Sequence, residues 1–323
     1  MQWNFLTFLV FAAAVPTALL VDHYLGEPPV RWHPVVWMGS YLDAAAKHVL
    51  PATAVPADVC DLKSFTLGAA YWCTGAAIIF VVAVTVQWAI LQLHWALAAL
   101  LMGLALKPLL AWAMLRCEVQ SVENALAKSL ESGRERLSWL VSRDTASLSE
   151  SEVRESAIES LAENLNDSVV APIFWFVVLG LPGAALFRFA NTADAMWGYK
   201  GLRNGVNWMW AGKWAARADD VLSWLPARIT ALLLVLVARG VNVKVLKAEA
   251  CKTPSPNSGW PMAAMALALN VSLRKPGVYA LNPDGRQPQA LDTVLAQKYA
   301  LKVVLVTFLW AQAAIIFIAV FFV

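Results

Sequence analysis

Charge is scarce in this chain. Only 15% of its 323 residues are Asp, Glu, Lys or Arg, against about 25% in a soluble domain. With 59% hydrophobic residues and a mean hydropathy of +0.58, that scarcity excludes an ordinary soluble globular domain and implies a membrane protein. The net charge of +3 is too small to argue for nucleic acid. Cysteine is scarce too. Cys60, Cys73, Cys117 and Cys251 are far apart, with no C-x-x-C pair and no histidine close by, which excludes a disulfide framework and a structural zinc site. There is no G-x-x-x-x-G-K-[ST] loop and no Rossmann glycine fingerprint, so any nucleotide is held in another way. Internal repeats and low-complexity tails are absent.

What is abundant is apolar sequence in long runs. Residues 5–21, 71–93, 94–116 and 303–323 read as four spanning helices. The first is broken only by Pro16, and the second and third are separated only by Gln92-Leu-His94. The tail before residue 5 has no Lys or Arg, so a first span is expected rather than a signal peptide. Lys107 lies near the inner end of the third run and is expected to snorkel out of it. Two further apolar stretches are unsuited to crossing. Residues 168–187 carry Gly180-Leu-Pro182-Gly183 at their centre, and 229–238 offer ten apolar residues between Arg228 and Arg239. A span needs about 20 residues, so both read as re-entrant or short embedded segments. All 25 Lys and Arg lie between Arg31 and Lys302. The positive-inside rule then puts both termini outside and the polar segments on one cytoplasmic face. The expected fold is an all-α polytopic membrane protein, a single integral-membrane domain over 1–323. It has about four spans, embedded short segments and cytosolic amphipathic helices.

The polar sequence is concentrated in one place. Glu155, Glu159, Glu163 and Asp167 follow one another at intervals of four. Each step of four drifts about 40° around a helix, so the four carboxylates share one broad face. Like charges at this spacing repel. A sequence that stacks them, with Asn164 and Asn166 alongside, is suited to holding a cation such as Mg²⁺ between neighbouring pairs. The alternative is a solvated acidic face. Ser149 with Glu152 forms a capping box that starts the helix. Further on, Ser255-Pro-Asn-Ser-Gly-Trp-Pro261 is a small-residue loop ahead of an apolar helix. Its N–H groups suit a phosphate or carboxylate, or else simply pack a turn.

These stretches together resemble the CbiB/CobD family of cobalamin biosynthesis, the adenosylcobinamide-phosphate synthases. The matching pieces are Leu25-Gly-Glu-Pro with His33-Pro34, Gly39, Ser142-Arg-Asp-Thr145, Glu159-x-x-x-Glu-Asn164-x-x-Asp167, Ala171-Pro172, Asn191-Thr-x-Asp194, Gly198-Tyr199, Ala216-Arg217-x-Asp-Asp220, Pro226-Ala-Arg228 and Ser255-Pro-Asn257. They occur in order over nearly the whole chain. Ser168 stands where the family often has Gly, and Arg274 to Tyr279 is poorer in glycine than is usual there.

The resemblance implies ATP-dependent joining of adenosylcobyric acid, a corrinoid substrate, to aminopropanol phosphate or a related amino-alcohol phosphate. Such a reaction needs Mg²⁺, cationic groups for phosphate and an acceptor for the amine proton. Glu159, Glu163, Asp167, Asp194, Asp219 and Asp220 are the catalytic candidates, with Glu163, Asp167 and Asp219 as the Mg²⁺ ligands. Arg143, Asn164, Asn191, Tyr199, Lys200, Arg217, Ser255, Asn257, Ser258 and His33 are the candidates for binding substrate or phosphate. The expected setting is the inner membrane with a cytoplasmic active face. Other proteins of the pathway and a second copy of the chain are possible partners. The competing readings are a transporter whose re-entrant hairpin lines a substrate path, and a non-catalytic sensor or scaffold of the same family. A membrane phosphotransferase of the alcohol class would need a D-G-x-x-A-R pattern, which is absent.

Overall fold

The computed structural model describes residues 5–50, 60–203 and 205–322. They form an all-α polytopic membrane protein. In chain order the helices are α1 (Phe5–Leu25), α2 (Pro34–Val49), α3 (Leu62–Leu91), α4 (Trp95–Leu106), α5 (Trp112–Leu126), α6 (Leu130–Leu137), α7 (Glu150–Leu165), α8 (Ala171–Leu179), α9 (Leu181–Trp197), α10 (Lys213–Ala238), α11 (Val243–Ala250), α12 (Gly259–Leu269) and α13 (Ala290–Phe322). Two small antiparallel hairpins complete the described chain. They are β1 (Leu202–Arg203) with β2 (Val206–Asn207), and β3 (Leu273–Lys275) with β4 (Tyr279–Leu281). Among the described residues five segments are long and apolar enough to cross a membrane: Leu6–Leu25, Leu62–Leu91, Trp95–Leu126, Lys213–Ala238 and Ala290–Phe321.

The chain divides into two compact units, each assembled from separated segments. The first holds Met1–Leu110, Ala171–Leu222 and Ala311–Val323, and the second Ala111–Val170 and Ser223–Trp310. No linker marks the division, because α10 and α13 each contribute residues to both.

In the first unit α1 packs on α4. The approach is close because Gly103 has no side chain: a Cβ there would collide with Thr17 and reach the Ala14 carbonyl. Small residues at a helix crossing are what membrane packing favours. Between α8 and α9 the chain turns at Gly180, whose φ of 71° suits glycine, and the two helices pack on each other. The turn expected at 180–183 is therefore present. Helix α9 then runs antiparallel along α3. At its start Leu181 N–H donates to Gln87 Oε1 (2.8 Å), and further on the Phe189 ring meets Trp72 and Tyr41.

Two prolines shape the helices around this hairpin. Pro172 lacks the N–H that would reach Ser168 O. The helix opens into a π turn over Asn166–Val170, and the freed Ser168 carbonyl accepts from Ala111 N (3.1 Å). Pro226 likewise frees Leu222 O, which accepts from Trp175 Nε1 (3.0 Å). The repaired carbonyl lets α10 continue unbroken. This corrects the reading of 229–238 as an isolated short segment: it is the end of a 26-residue helix. Arg228 looked like a boundary, but its guanidinium lies over the Trp224 and Trp260 rings (4.3 and 4.9 Å) and donates to Asn257 Oδ1 (3.0 Å). The other expected spans are also longer in the structure. The second starts at Leu62 and the last at Ala290, while the third is interrupted by a 3-10 turn at Lys107–Leu109. Val323, the end of the last expected span, lies outside the described residues.

The expectation that Lys107 snorkels is overturned. Its side chain is 3% exposed, with Nζ 3.2 Å from Asp22 Oδ1 and 2.7 Å from Glu27 Oε2. Glu27 also faces His33 Nε2 at 3.2 Å. The 3-10 turn brings the ammonium inward to two carboxylates, and these offset the cost of burying it.

Candidate active site

The second unit is built on α7. Its capping box is formed as expected: Ser149 Oγ accepts from Glu152 N–H, and the Glu152 carboxylate accepts from Ser149 N–H (2.7 Å). From this fixed start the carboxylates point inward. Glu155 is fully buried and Glu159 is 4% exposed, so a solvated acidic face is excluded at both positions. Each has its own cation. Glu155 accepts from Arg274 N–H (2.9 Å) and faces Arg274 Nη2 (3.4 Å), which docks the β3–β4 hairpin on α7. Glu159 Oε2 accepts from Arg143 Nη2 (2.7 Å), so the Ser142-Arg-Asp-Thr145 and Glu159 motifs meet. Glu163 and Asp167 are half-buried, and Asp167 Oδ1 accepts from Asn166 Nδ2 (2.7 Å). Asn164 Nδ2 donates to Ser160 O (2.9 Å), and Asn166 Oδ1 accepts from Thr230 on α10 (3.0 Å).

The docked hairpin walls one side of a half-open polar cavity of about 170 Å³ over this face. Arg143, Glu159, Glu163, Asn164, Lys275 and Tyr279 supply its chemistry. Burial pushes the Glu159 carboxyl above the usual carboxylate range, with Arg143 pulling the other way. Burial also pushes the Tyr279 hydroxyl up, helped by the negative charges of Glu159 and Glu163, so it stays protonated. Glu159 Oε1 is buried without a well-directed hydrogen bond, although the Tyr279 hydroxyl lies beside the carboxylate. The arrangement offers a proton acceptor, a neutral hydroxyl donor and two cations in one small space.

Lys275 and Tyr279 were missed by sequence reasoning. The signal was Pro276-Gly277 between short alternating runs, a hairpin signature. The turn is tight, with Val278 N–H donating to Lys275 O (2.9 Å) and Gly277 at φ 72°.

The remaining candidates divide between the units. Asn191, Asp194, Tyr199, Lys200, Arg217, Asp219 and Asp220 are in the first. There Asp194 Oδ1 lies against the Gly198 backbone where a Cβ would sit, Arg203 stacks over the Tyr199 ring (3.9 Å), and Lys200 is near enough to Asp220 for their charges to interact. His33 caps α2 by accepting from Val35 N–H (3.2 Å) and joins the Lys107 cluster. In the second unit Ser255 Oγ accepts from both Asn257 N–H and Ser258 N–H (3.2 Å each). Those N–H groups serve the turn, and Asn257 is tied to Arg228. This loop is packed for structure, the second of the two readings open from its sequence.

Among the described residues no three His, Cys, Asp or Glu side chains gather as a metal cage. Mg²⁺ does not need one, since it is commonly held by one or two carboxylates plus substrate phosphate. Glu163, with Asp167 one turn on, fits such a partial site. Asp219 belongs to the first unit.

The comparisons with known proteins bear out the family resemblance. The model of the family described as "CobD/Cbib protein" matches residues 15–306. The chain belongs to the CobD/CbiB family. Among its relatives, the "Probable cobalamin biosynthesis protein CobD" of Methanothermobacter thermautotrophicus is 40% identical over 276 residues, covering 82% of this chain and 84% of the relative. The "Cobalamin biosynthesis protein CobD" of Chromobacterium violaceum is 42% identical over 265 residues, 81% of each chain. That of Halalkalibacterium halodurans is 36% identical over 274 residues, 82% of each. No solved structure matches. The family match takes in both units, and so both groups of candidate residues.

Proposed function

We propose that this CobD/CbiB family member acts in cobalamin biosynthesis as an adenosylcobinamide-phosphate synthase. In this reading it joins the free propionate of adenosylcobyric acid to an amino-alcohol phosphate, at the expense of ATP, on the cytoplasmic face of the inner membrane. The observation that carries the reading is the buried Glu159 beside Arg143 and Tyr279 in a small polar cavity. A carboxylate does not acylate an amine at neutral pH. Transfer of the γ-phosphoryl group to the propionate oxygen gives an acyl phosphate and ADP. The amine nitrogen then attacks the carbonyl carbon, the C–N bond forms, the C–O bond to phosphate breaks and inorganic phosphate leaves. The amine proton passes to Glu159, whose carboxyl is pushed above the usual carboxylate range by burial and is therefore a stronger base than an exposed one. Arg143 holds the other carboxylate oxygen and keeps Glu159 in place. Tyr279, protonated throughout, serves as a hydrogen-bond donor. Mg²⁺ held by Glu163 and Asp167 would neutralise phosphate charge.

The test is purified full-length protein with adenosylcobyric acid, 1-amino-2-propanol O-phosphate, ATP and Mg²⁺, read by mass spectrometry. The expected product is adenosylcobinamide phosphate. Glu159→Gln and Glu163→Gln should each cut its formation about 100-fold, some 2.7 kcal/mol of barrier. Glu150→Gln, on the exposed first turn of α7, should change it little. Absence of any corrinoid product from well-folded protein refutes the ligase.

A further inference from the structure

A groove lined by the end of α10 and the middle of α13 takes no part in the chemistry above. We infer that it is a binding site for an anionic phospholipid. The phosphate lies between Arg239 and Lys302, and the acyl chains lie along Leu236, Leu305 and Val306. The inference stands apart from the ligase reading and does not need it.

Place in the membrane is the first argument. Both helices are among the segments long and apolar enough to cross. The apolar end of α10 stops at Ala238 and Arg239 follows, while the long apolar run of α13 begins just after Lys302. Two cations that mark the edge of hydrocarbon on separate helices therefore line one open groove of about 560 Å³. On its apolar side Leu236 is 63% exposed and Leu305 53%. Tyr299 is at the same rim, with Lys302 Nζ 5.7 Å from its ring centroid. Tyrosine and tryptophan are enriched at this depth.

Charge is the second argument. The lining has no Asp or Glu. Among the described residues neither cation has a carboxylate within ion-pair distance. This is the reverse of Lys107, which is buried between two carboxylates. A choline or ethanolamine headgroup would bring an ammonium up to the two cations. A phosphatidylglycerol headgroup brings only the phosphate charge. The guanidinium fork of Arg239 and the ammonium of Lys302 both suit phosphate oxygens, and basic pockets between spanning helices select such lipids.

The backbone supplies the third. Arg239 has φ of 57°, and its N–H donates to Val235 O (3.1 Å) to close α10. Glycine is the usual residue in this left-handed position after a helix, and a side chain there is strained. The strain is tolerated where it sets a charge at the lip of the groove, and Gly240 at φ 88° then turns the chain away.

The experiment uses full-length protein in nanodiscs of phosphatidylcholine alone and of phosphatidylcholine mixed with phosphatidylglycerol. Thermal unfolding is measured, and native mass spectrometry counts the lipids retained. Wild type should retain phosphatidylglycerol about tenfold over phosphatidylcholine, in keeping with two cations at the membrane surface. It should also unfold at a higher temperature in the mixed discs, because a lipid bound to the folded state stabilises it. Arg239→Gly combined with Lys302→Gln should lose both the preference and the added stability. In phosphatidylcholine alone this variant should unfold close to wild type, since glycine suits the left-handed position. Lys302→Gln by itself, at an exposed helical position, should lose part of the preference and guards against misfolding of the pair. Lys63→Gln with Lys128→Gln removes the same charge from exposed lysines outside the groove and should keep the preference. An equal loss in that control pair would mean attraction to overall charge and overturns the site. So does a wild type without preference, or a full preference in the groove variants.

Discussion

Replacing Lys107 with Met should destabilise the protein far more than an ordinary lysine substitution. The side chain is 3% exposed, with Asp22 fully buried at 3.2 Å and Glu27 at 2.7 Å. Methionine fills a similar volume but removes the ammonium that faces both carboxylates. Breaking a buried pair from one side costs about 3–5 kcal/mol. At about 2–4 °C per kcal/mol, the midpoint of thermal unfolding should fall by roughly 6–20 °C. The partner change tests the cause. Asp22→Asn in the Lys107→Met background removes the fully buried one of the two uncompensated charges, leaving only the partly exposed Glu27, and should restore at least half of the loss, a non-additivity typical of groups in contact. The assay is thermal unfolding in nanodiscs, with wild type, both single variants and the double variant side by side. A Lys107→Met protein within about 1 kcal/mol of wild type would refute the reasoning, because that is what a lysine snorkelling to water would give.

Three further outcomes are expected. The folded-state pKa of Glu159 is raised by burial, so its contribution to stability is fully present below the unfolded carboxyl pKa and is lost as pH rises through the folded value. Unfolding midpoints across that window should show this slope in wild type and lose it in Glu159→Gln. Arg228→Ala removes the bonds to Asn257 and to Pro256 O (3.2 Å) along with two ring contacts. It should cost about 2 kcal/mol of stability in a denaturant titration, and Arg228→Lys should recover little of that. In a background without native cysteines, a cysteine at Lys244 should resist a membrane-impermeant reagent in intact cells, while one at Gln92 should react. Labelling of Lys244 from outside, with Gln92 still reactive, would show that α10 crosses and would put the segment after it on the opposite face from the one argued from charge.

Much of the fold was legible because its signals are local. The apolar runs, the capping box at Ser149 and the turn at Gly180 each depend on residues close in sequence. What escaped depends on distant partners. Arg228 read as the edge of an apolar segment because its charge counts fully until Trp260 and Asn257 cover it. Lys107 read as a snorkelling residue because Asp22 and Glu27, some eighty residues earlier, gave no sign of their pairing. In the candidate site, the spacing of Glu159 and Glu163 pointed to α7 and the family motifs to Arg143. Lys275 and Tyr279 stayed hidden because the hairpin reaches α7 through Glu155 and Arg274, 119 positions apart. Composition also could not separate a loop presenting its N–H groups from one using them, and Ser255 Oγ decides that in favour of use.

The antiparallel course of α9 along α3 makes the hairpin a ruler. Gly180 is seated at Gln87 and Phe189 at Trp72, so two fixed points on one helix are matched to two on the other. Each residue advances a helix by about 1.5 Å and turns it by about 100°. One residue added or removed between Gly180 and Phe189 would therefore swing the phenyl ring away from Trp72 and Tyr41, whatever residue was used. Length in this stretch should be less free to vary than composition, and relatives that exchange its side chains should still keep its count.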